Sequence, residues 1–312
     1  MEIIDLHCDV LYTLSQAEEP ISFKNNEKLE VTLEQLKKTN TKLQVFAIFI
    51  DDTLNENQRY LEAIRQVEIF HQEIITPYEE MVHITDWKQL EQLQSNQIGA
   101  VLSLEGCDAI GSDLRKLQTF IDAGILLCGL TWNHENAVAY GAEEDPTKGI
   151  KPFGREVIAL LNEHHIIIDV SHLNEQGFWD TLQEATYVIA SHSNARTIQD
   201  HPRNLYDQQL RAIAEKGGHV HCVFYPPFIS NEASVTIDDL VKHIKHLAKI
   251  ITPSRVGLGS DFEGIDLYVE NLTRTEEIPN LLQALEGIFT TEEIKGIAAE
   301  NFQHFISKIE RS

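Results

Sequence analysis

Basic residues are few in this chain of 312 residues, and acidic residues outnumber them. It has 25 lysines and arginines against 49 aspartates and glutamates, which gives a formal net charge of -24. A surface with this excess of negative charge repels phosphate backbones and anionic bilayers over most of its area. Nucleic acids and membrane surfaces are therefore poor candidates as partners.

Cysteine is also scarce, and long apolar runs are absent. The four cysteines lie far apart without a CxxC pair, so we interpret them as buried free thiols: Cys8, Cys107, Cys128 and Cys222. No run approaches the roughly 18 apolar residues of a membrane span, and the first residues lack the basic and apolar regions of a signal peptide. We expect a cytoplasmic protein, and the sequence leaves open whether it forms a homodimer.

Short runs rich in valine, isoleucine and leucine recur along the chain, and a segment with helical spacing follows each of them. This alternation predicts a parallel sheet covered by crossover helices. With no linker or repeat to divide the chain, we expect one α/β domain over residues 1–312, a (β/α)8 TIM barrel. The predicted strands are residues 3–6, 43–50, 98–104, 125–131, 166–170, 187–190, 219–224 and 256–259.

Helix signals agree with this architecture. Residues 56–75 carry an apolar face and end at Thr76-Pro77, as expected of a helix that covers a sheet. Thr236 precedes a second predicted helix, and Thr290 with Glu293 forms a capping box that opens a last one.

Almost every predicted strand ends at a chemically reactive residue. The interior of such a barrel is packed, so chemistry is confined to the carboxyl ends of the strands and the loops that follow. Only the second strand, which ends at Asp51 and Asp52, offers no obvious candidate. The other ends carry His7 and Asp9, Glu105, His134, His172, His192, Tyr225 and Asp261.

The pair His7-x-Asp9 can place an imidazole and a carboxylate on one cation, because residues two apart on a strand project to the same side. Alone, such a pair is weak, since most lie on protein surfaces. The residues Glu105, His172 and His192 at three further strand ends change this interpretation. Three imidazoles and two carboxylates suit two zinc ions, with Glu105 bridging them. Such a pair, about 3.5–4 Å apart, lowers the pKa of a bridging water and polarises a carbonyl oxygen.

Two further residues are candidates for work on the substrate. Asp261 ends the eighth strand, where it would shuttle a proton from the water to the leaving nitrogen; the alternative is a carboxylate that caps the following loop. Arg203 lies in the loop after the sixth strand and could hold a substrate carboxylate through two parallel hydrogen bonds. A surface ion pair is the alternative for Arg203.

Several other histidines have simpler interpretations. His243 and His246 share a predicted helix face among lysines, so we expect both to be solvated. His219 and His221 alternate on the seventh predicted strand. They either contact the site or are buried neutral histidines with a hydrogen bond, which is the commoner case.

Together these motifs resemble the renal, or membrane, dipeptidase family of zinc peptidases, in the form of a prokaryotic member. Each motif is short, but their order at successive strand ends makes the set specific, and it covers nearly the whole chain. The motifs are Asp5-Leu6-His7-Cys8-Asp9, Leu104-Glu105-Gly106, Asp169-Val170-Ser171-His172, Ser191-His192-Ser193, Arg203-Asn204 and Gly259-Ser260-Asp261-Phe262-Glu263-Gly264.

The resemblance implies a (β/α)8 barrel with two Zn2+ ions per chain and a small peptide as substrate. Asp261 would be the acid/base, with Glu105 also at the reacting centre. Arg203 would bind the substrate carboxylate, and Tyr225 would lie beside the substrate. The implied metal ligands are His7, Asp9, Glu105, His172 and His192.

One motif departs from the family. Where mammalian members carry a substrate-binding histidine after Leu-Thr, this chain has Trp132, and His134 follows two positions later. Three outcomes are open for substrate binding. His134 takes over from a shifted loop, the metals suffice, or Trp132 lines the pocket and changes the substrate preference.

We expect hydrolysis of dipeptides with a free carboxyl terminus, including those that end in a D-residue. Opening of a cyclic amide or lactone, or cleavage of a phosphoester, is the alternative reaction on the same metal centre. Arg203 distinguishes these reactions, because a dipeptidase needs a cation for the terminal carboxylate. A non-catalytic metal-containing binding protein is the third hypothesis, and Asp261 beside a full ligand set argues against it.

Overall fold

Eight parallel strands close into a barrel in the computed structural model, which describes residues 1–309 of the chain. Around the barrel the order is β2-β1-β9-β8-β7-β6-β5-β4, and pairing between β2 and β4 closes the ring. The strands are β1 (Ile3–Asp5), β2 (Thr41–Phe49), β3 (Met81–His83), β4 (Ile98–Glu105), β5 (Ile125–Gly129), β6 (Ile167–Asp169), β7 (Val188–Ala190), β8 (His219–Cys222) and β9 (Val256–Leu258).

The predicted (β/α)8 barrel is therefore confirmed, and each predicted strand overlaps one of its members. Most strands are shorter than predicted, because their last apolar residues already belong to the loops at the carboxyl end. The short strand β3 was not predicted; it pairs with the first residues of β4 below the start of β5. The predicted domain runs to residue 312, and its last three residues lie outside the described ones.

Helices surround the barrel on its outer side. They are α1 (Val10–Gln16), α2 (Leu33–Lys38), α3 (Glu56–Ile69), α4 (Leu114–Asp122), α5 (Pro152–Glu163), α6 (Glu175–Glu184), α7 (Asp207–Glu215), α8 (Ile237–Ile251), α9 (Ile278–Ala284), α10 (Thr291–Lys295) and α11 (Asn301–Ile306). The predicted helix over 56–75 is α3 continued by wider turns at Phe70–Ile75. A capping box opens α10 as the sequence predicts, and α8 begins directly after Thr236, where the sequence predicts a helix start. Within residues 1–309, no helix has the length and apolar content to cross a bilayer.

The strands bury side chains on both faces, because alternate residues point to opposite sides. One face packs against the helices, as Ile3, Phe46 and Leu102 do. The other fills the barrel interior, where Phe302 and Phe305 of α11 join the strand residues. This packing leaves the carboxyl ends of the strands as the place for a cavity. The interior strand residues include Ile4, Leu43, Val45, Val101, Ile167 and Ile189.

His219 and His221 also point into the barrel, since Val220 between them packs on the helix side. The ring of His219 lies 5.0 Å from that of Phe305, and the ring of His221 lies 5.5 Å from that of Phe302. Both imidazoles are buried there, below the cavity at the carboxyl ends. The structure thus places them in the barrel core rather than among the residues that line the cavity.

The expectation that His243 is solvated is wrong. Its side chain is fully buried; a backbone N–H donates to its Nδ1 at 3.1 Å, and its Nε2 faces a backbone carbonyl oxygen at 2.9 Å. The reason is its place in the apolar stripe of α8, between Leu240 and Ile244. His246 is half-buried, and its Nε2 lies 2.7 Å from Asp207 Oδ1.

Candidate metal centre

A cavity of about 470 Å³ opens at the carboxyl ends of the barrel strands, where the sequence predicts the site. Its volume suits a small ligand. His7 and His192 lie buried beneath it, in contact with the lining carboxylates. Of the residues predicted for the site, those that line the cavity are Asp9, Glu105, Trp132, His172, Arg203, Tyr225 and Asp261.

The first cluster of donor atoms surrounds His7 Nε2. Asp9 Oδ2 lies 3.4 Å from this nitrogen, Glu105 Oε2 3.3 Å and Asp261 Oδ1 3.6 Å. The four side chains belong to β1, β4 and β9 or to the loops after these strands, and the three carboxylate oxygens converge on the nitrogen of His7. The ligand atoms of His7, Asp9 and Asp261 all lie within 4.8 Å of one another, close enough to share one cation, and so do those of His7, Glu105 and His192.

The second cluster lies on the other oxygen of Glu105. His172 Nε2 is 2.9 Å from Glu105 Oε1, and His192 Nε2 is 4.0 Å from the same oxygen. The two imidazole nitrogens lie 2.8 Å apart. Glu105 therefore lies between His7, which is near its Oε2, and His172, which is near its Oε1.

The hydrogen-bond partners of the Nδ1 atoms indicate the tautomers of His172 and His192. Asn133 Nδ2 donates to Glu143 Oε1, so Asn133 Oδ1 is the acceptor that faces His172 Nδ1 at 2.9 Å. His172 Nδ1 must therefore carry the proton. Its Nε2 then carries the lone pair, which lies 2.9 Å from Glu105 Oε1 and 3.1 Å from the donor Arg203 Nη2.

Ser191 fixes the tautomer of His192 in the same way. The hydroxyl of Ser191 donates to the carboxylate of Asp169, so its oxygen accepts from His192 Nδ1 at 2.6 Å. Asp169 also accepts from the hydroxyl of Ser171 at 2.6 Å and from the backbone N–H of Ser191 at 2.9 Å. Two lone pairs, on His172 Nε2 and His192 Nε2, thus face each other at short range.

These donor atoms fit two metal ions. Among the described residues, His7 Nε2, Asp9 Oδ1 and Glu105 Oε2 are buried without a hydrogen-bond partner. Buried polar atoms rarely stay unpaired, and facing lone pairs repel each other unless a cation lies between them. Imidazole nitrogens with carboxylate oxygens are the ligands that zinc takes in proteins.

Burial and neighbouring charges shift the pKa values of the carboxyl groups. Burial, together with the negative charge of Glu105, raises the pKa of Asp9 to about 7. Burial raises the pKa of Asp261 well above its usual range, against the opposing charge of His7, and the charges of Asp9 and Glu105 add to the rise. A carboxyl group with a raised pKa can hold and release a proton near neutral pH.

The loop after β9 presents Asp261 in a constrained conformation. Its backbone φ of 67° lies in the left-handed region, and its N–H donates to the carbonyl oxygen of His7 at 3.1 Å. Asp5, which the sequence reading did not single out, anchors the same loop by accepting from the N–H and hydroxyl of Ser260 at 2.8 and 2.6 Å. At Gly264 a Cβ would lie 2.3 Å from Asp9 Oδ2, so a larger residue would intrude into the first cluster.

Arg203 is a buried cation at the wall of the cavity, with 2% of its surface exposed. Burial lowers its pKa to about 10, so it stays charged at neutral pH. Its Nη2 lies 3.1 Å from His172 Nε2, and its guanidinium carbon lies 5.3 Å from the ring centre of Phe228. Its Nε and Nη1 groups find no acceptor within residues 1–309. Unpaired donors on a buried guanidinium call for an anionic ligand.

The remaining predicted site residues lie at different depths. Trp132 lines the cavity with its ring 6.3 Å from that of His172. Tyr225 stands nearer the rim, where its hydroxyl donates to Asp266 at 2.9 Å. His134 is 45% exposed, with its Nε2 3.4 Å from Asp52 Oδ2, and it is not among the residues that line the cavity.

Sequence reasoning missed the residues that support the ligands. Asp5, Asp169 and Ser191 share one signal, a polar side chain directly before or within two or three positions of a ligand at a strand end. Asn133 and Glu143 carry no such signal, because a long loop folds back to bring Glu143 to the amide of Asn133. The orientation of such a loop is not legible in one sequence.

Comparison with known proteins identifies a family whose model matches the full chain. The family model for membrane dipeptidase (peptidase family M19) matches residues 1–312. A Klebsiella pneumoniae protein from the pqqA 5′ region is 35% identical over 210 residues, which cover 64% of this chain and 77% of that protein. An uncharacterised dipeptidase of Schizosaccharomyces pombe is 34% identical over 213 residues, covering 66% of this chain and 52% of its own length.

A solved structure is similar in fold. The crystal structure of a metallo peptidase from Rhodobacter sphaeroides, liganded with a phosphinate mimic of the dipeptide L-Ala-D-Ala, matches with a TM-score of 0.93. The match covers 99% of both chains at 22% sequence identity. At this identity the likeness concerns the barrel itself.

Proposed function

Since this chain belongs to the membrane dipeptidase family, peptidase family M19, we propose that it hydrolyses the peptide bond of dipeptides at a binuclear zinc centre. One observation carries the proposal. His7 and His172 lie near different oxygens of Glu105, and Arg203 Nη2 lies 3.1 Å from His172 Nε2 while its Nε and Nη1 have no partner among the described residues. A metal pair beside a fixed cation is what cleavage next to a free carboxylate requires.

The five ligands divide between two ions in this proposal. His7 and Asp9 would hold one ion, His172 and His192 would hold the other, and Glu105 would be shared between them. When bound, zinc supplies a nucleophilic water at neutral pH and polarises the scissile carbonyl. Asn133 and Ser191 keep the two imidazoles in the tautomer that can bind a metal.

Asp261 is proposed to move the proton. Its carboxylate lies 3.6 Å from His7 Nε2 and lines the cavity, within reach of the ligand atoms that would hold the metals. It takes the proton of the attacking water and passes it to the leaving amine nitrogen. The backbone bonds of its loop hold it in place for both transfers.

Arg203 is proposed to bind the carboxyl terminus of the substrate. A carboxylate paired with this guanidinium places the preceding peptide bond over the metal centre. A tripeptide held in the same way would place the wrong bond there. Trp132 lines the cavity and His134 stays outside it, so this loop contributes an indole rather than an imidazole to substrate binding.

A screen of purified protein, with metal added back, tests the function. The substrates are L,L- and L,D-dipeptides, tripeptides, N-acylated amino acids, a lactone and a phosphodiester; the L,D arm follows from the ligand in the Rhodobacter structure. We expect cleavage of dipeptides alone, lost on chelation and restored by zinc. Cleavage of the lactone or phosphodiester in preference to every dipeptide would contradict the proposal in favour of another amidohydrolase reaction.

A further inference from the structure

Three contacting aromatic rings line one side of the cavity, and we propose that this side selects dipeptides with a large apolar or aromatic side chain on the amino-terminal residue. This inference rests on the proposed dipeptidase function and adds a substrate class to it. It follows from where the closed barrel places Arg203 relative to three aromatic rings.

The order of the strands puts Arg203 and Phe49 on opposite sides of the cavity mouth. In a closed ring of eight strands, members four places apart face each other across the axis, so β2 lies opposite β7. Phe49 ends β2, and Arg203 lies in the loop after β7. The two ligand clusters on Glu105 lie between these sides.

Three rings form a continuous surface on the β1 to β5 side, here called the aromatic wall: Tyr12, Phe49 and Trp132. The ring of Tyr12 lies 5.1 Å from that of Phe49, which lies 5.4 Å from that of Trp132. All three side chains line the cavity. Since Trp132 also approaches His172, the wall reaches from the rim to the metal centre.

The proposed binding mode brings the amino-terminal residue of a dipeptide to this wall. With its carboxylate on Arg203 and its scissile carbonyl at the metal centre, the amino-terminal residue extends away from β7 and toward the wall. Aromatic surfaces favour the burial of apolar side chains. An acidic side chain would meet like charge there, because Asp51 accepts from the hydroxyl of Tyr12 at 3.4 Å and Glu143 lines the same cavity.

Two series of dipeptides test the wall in the wild-type, zinc-loaded protein. In Xaa-Ala, with Xaa as alanine, leucine, phenylalanine or aspartate, we expect kcat/KM for leucine and phenylalanine to exceed that for alanine roughly tenfold or more, and aspartate to fall below alanine. Equal values across Xaa-Ala, or a preference found only in the Ala-Xaa series, would overturn the inference and leave the dipeptidase function standing. If no dipeptide is cleaved, the function itself fails.

Matched variants assign the preference to the wall. Trp132→Ala should lower the ratio of kcat/KM for Phe-Ala over Ala-Ala roughly fivefold, whereas Trp132→Phe keeps most of it. Phe49→Leu gives a second test if Trp132→Ala does not fold. The control is Phe228→Ala, which removes a ring from the Arg203 side; it should lower kcat/KM for both substrates and leave the ratio unchanged. A ratio that persists in Trp132→Ala, or falls equally in Phe228→Ala, contradicts the wall.

Discussion

Among single residues, Asp261 bears most directly on the proposed chemistry. Asp261→Asn keeps the size and the hydrogen-bonding backbone but cannot accept a proton, so kcat should fall by roughly 10²–10⁴. Because Asp261 lies 3.6 Å from His7 Nε2, metal content must be measured on the same sample. Near wild-type kcat in a fully loaded variant would remove the proton-transfer role.

Ser191 is expected to act through His192 rather than on the substrate. Ser191→Ala removes the acceptor that fixes the His192 tautomer, and loss of such a partner weakens metal affinity roughly tenfold to a hundredfold. Competition with a chelator of known affinity measures this without reference to turnover.

Ser193 supplies the matched control for that measurement. It is buried nearby, but its hydroxyl has no hydrogen-bond partner in the part of the chain that the structure describes. Ser193→Ala should therefore leave the metal affinity near the wild-type value. Equal metal affinities in the Ser191→Ala variant and the wild type would show that the hydrogen bond does not position His192.

At the scale of helices and strands, alternating apolar runs were sufficient to predict the barrel. A parallel barrel brings the carboxyl ends of all its strands to one face, so reactive residues at those ends must meet. His7, Glu105 and His172 could be found in this way. Trp132 and His134 could not be separated, because which one enters the cavity depends on the path of a loop that strand periodicity does not describe.

Helix α8 shows the same limit for helices. The lysines around His243 suggest a solvated face, yet its spacing from Leu240 and Leu247 places it in the buried stripe. The residues next to His243 in sequence suggest a surface position, whereas its spacing along the helix places it in the core. Its hydrogen bonds to loop backbone, which make burial tolerable, form only in the folded chain.

The two buried histidines of β8, His219 and His221, should make the stability of the fold depend on pH. Burial, together with the charges of His221, Arg255 and Lys308, lowers the pKa of His219 to about 2, and burial lowers the pKa of His221 to about 3. Histidine in an unfolded chain titrates near 6.5. Below this pH the unfolded chain binds protons that the folded chain does not, so stability falls from about pH 6.5 toward pH 3 and is unaffected by these groups above it.

Urea unfolding at about pH 7.5 and pH 5 measures this dependence. Each histidine should cost roughly 2 kcal/mol of unfolding free energy at the lower pH. His219→Gln and His221→Gln should therefore reduce the loss between the two pH values, whatever they do to stability at pH 7.5. An unchanged loss in both variants would show that these imidazoles bind protons equally in the folded and the unfolded chain.

At the scale of the whole molecule, the proposed mechanism requires two metal ions per chain. Elemental analysis of protein purified without chelators should find two, and chelation should lower the melting temperature, because buried carboxylates and imidazole lone pairs then face each other without a cation. A reproducible value of one or none after reconstitution with zinc would remove the bridging role of Glu105. A melting temperature unchanged by chelation would mean that these groups are satisfied in another way.

The central claim is that one fixed cation makes this barrel a peptidase for substrates with a free carboxyl terminus. The most direct measurement compares a dipeptide with its C-terminal amide, using the wild type and Arg203→Ala. Loss of a charge-assisted hydrogen bond costs about 1.5–3 kcal/mol, so the wild type should cleave the free dipeptide roughly tenfold to a hundredfold better, and Arg203→Ala should lose that difference. Equal cleavage of both compounds by the wild type would contradict the claim.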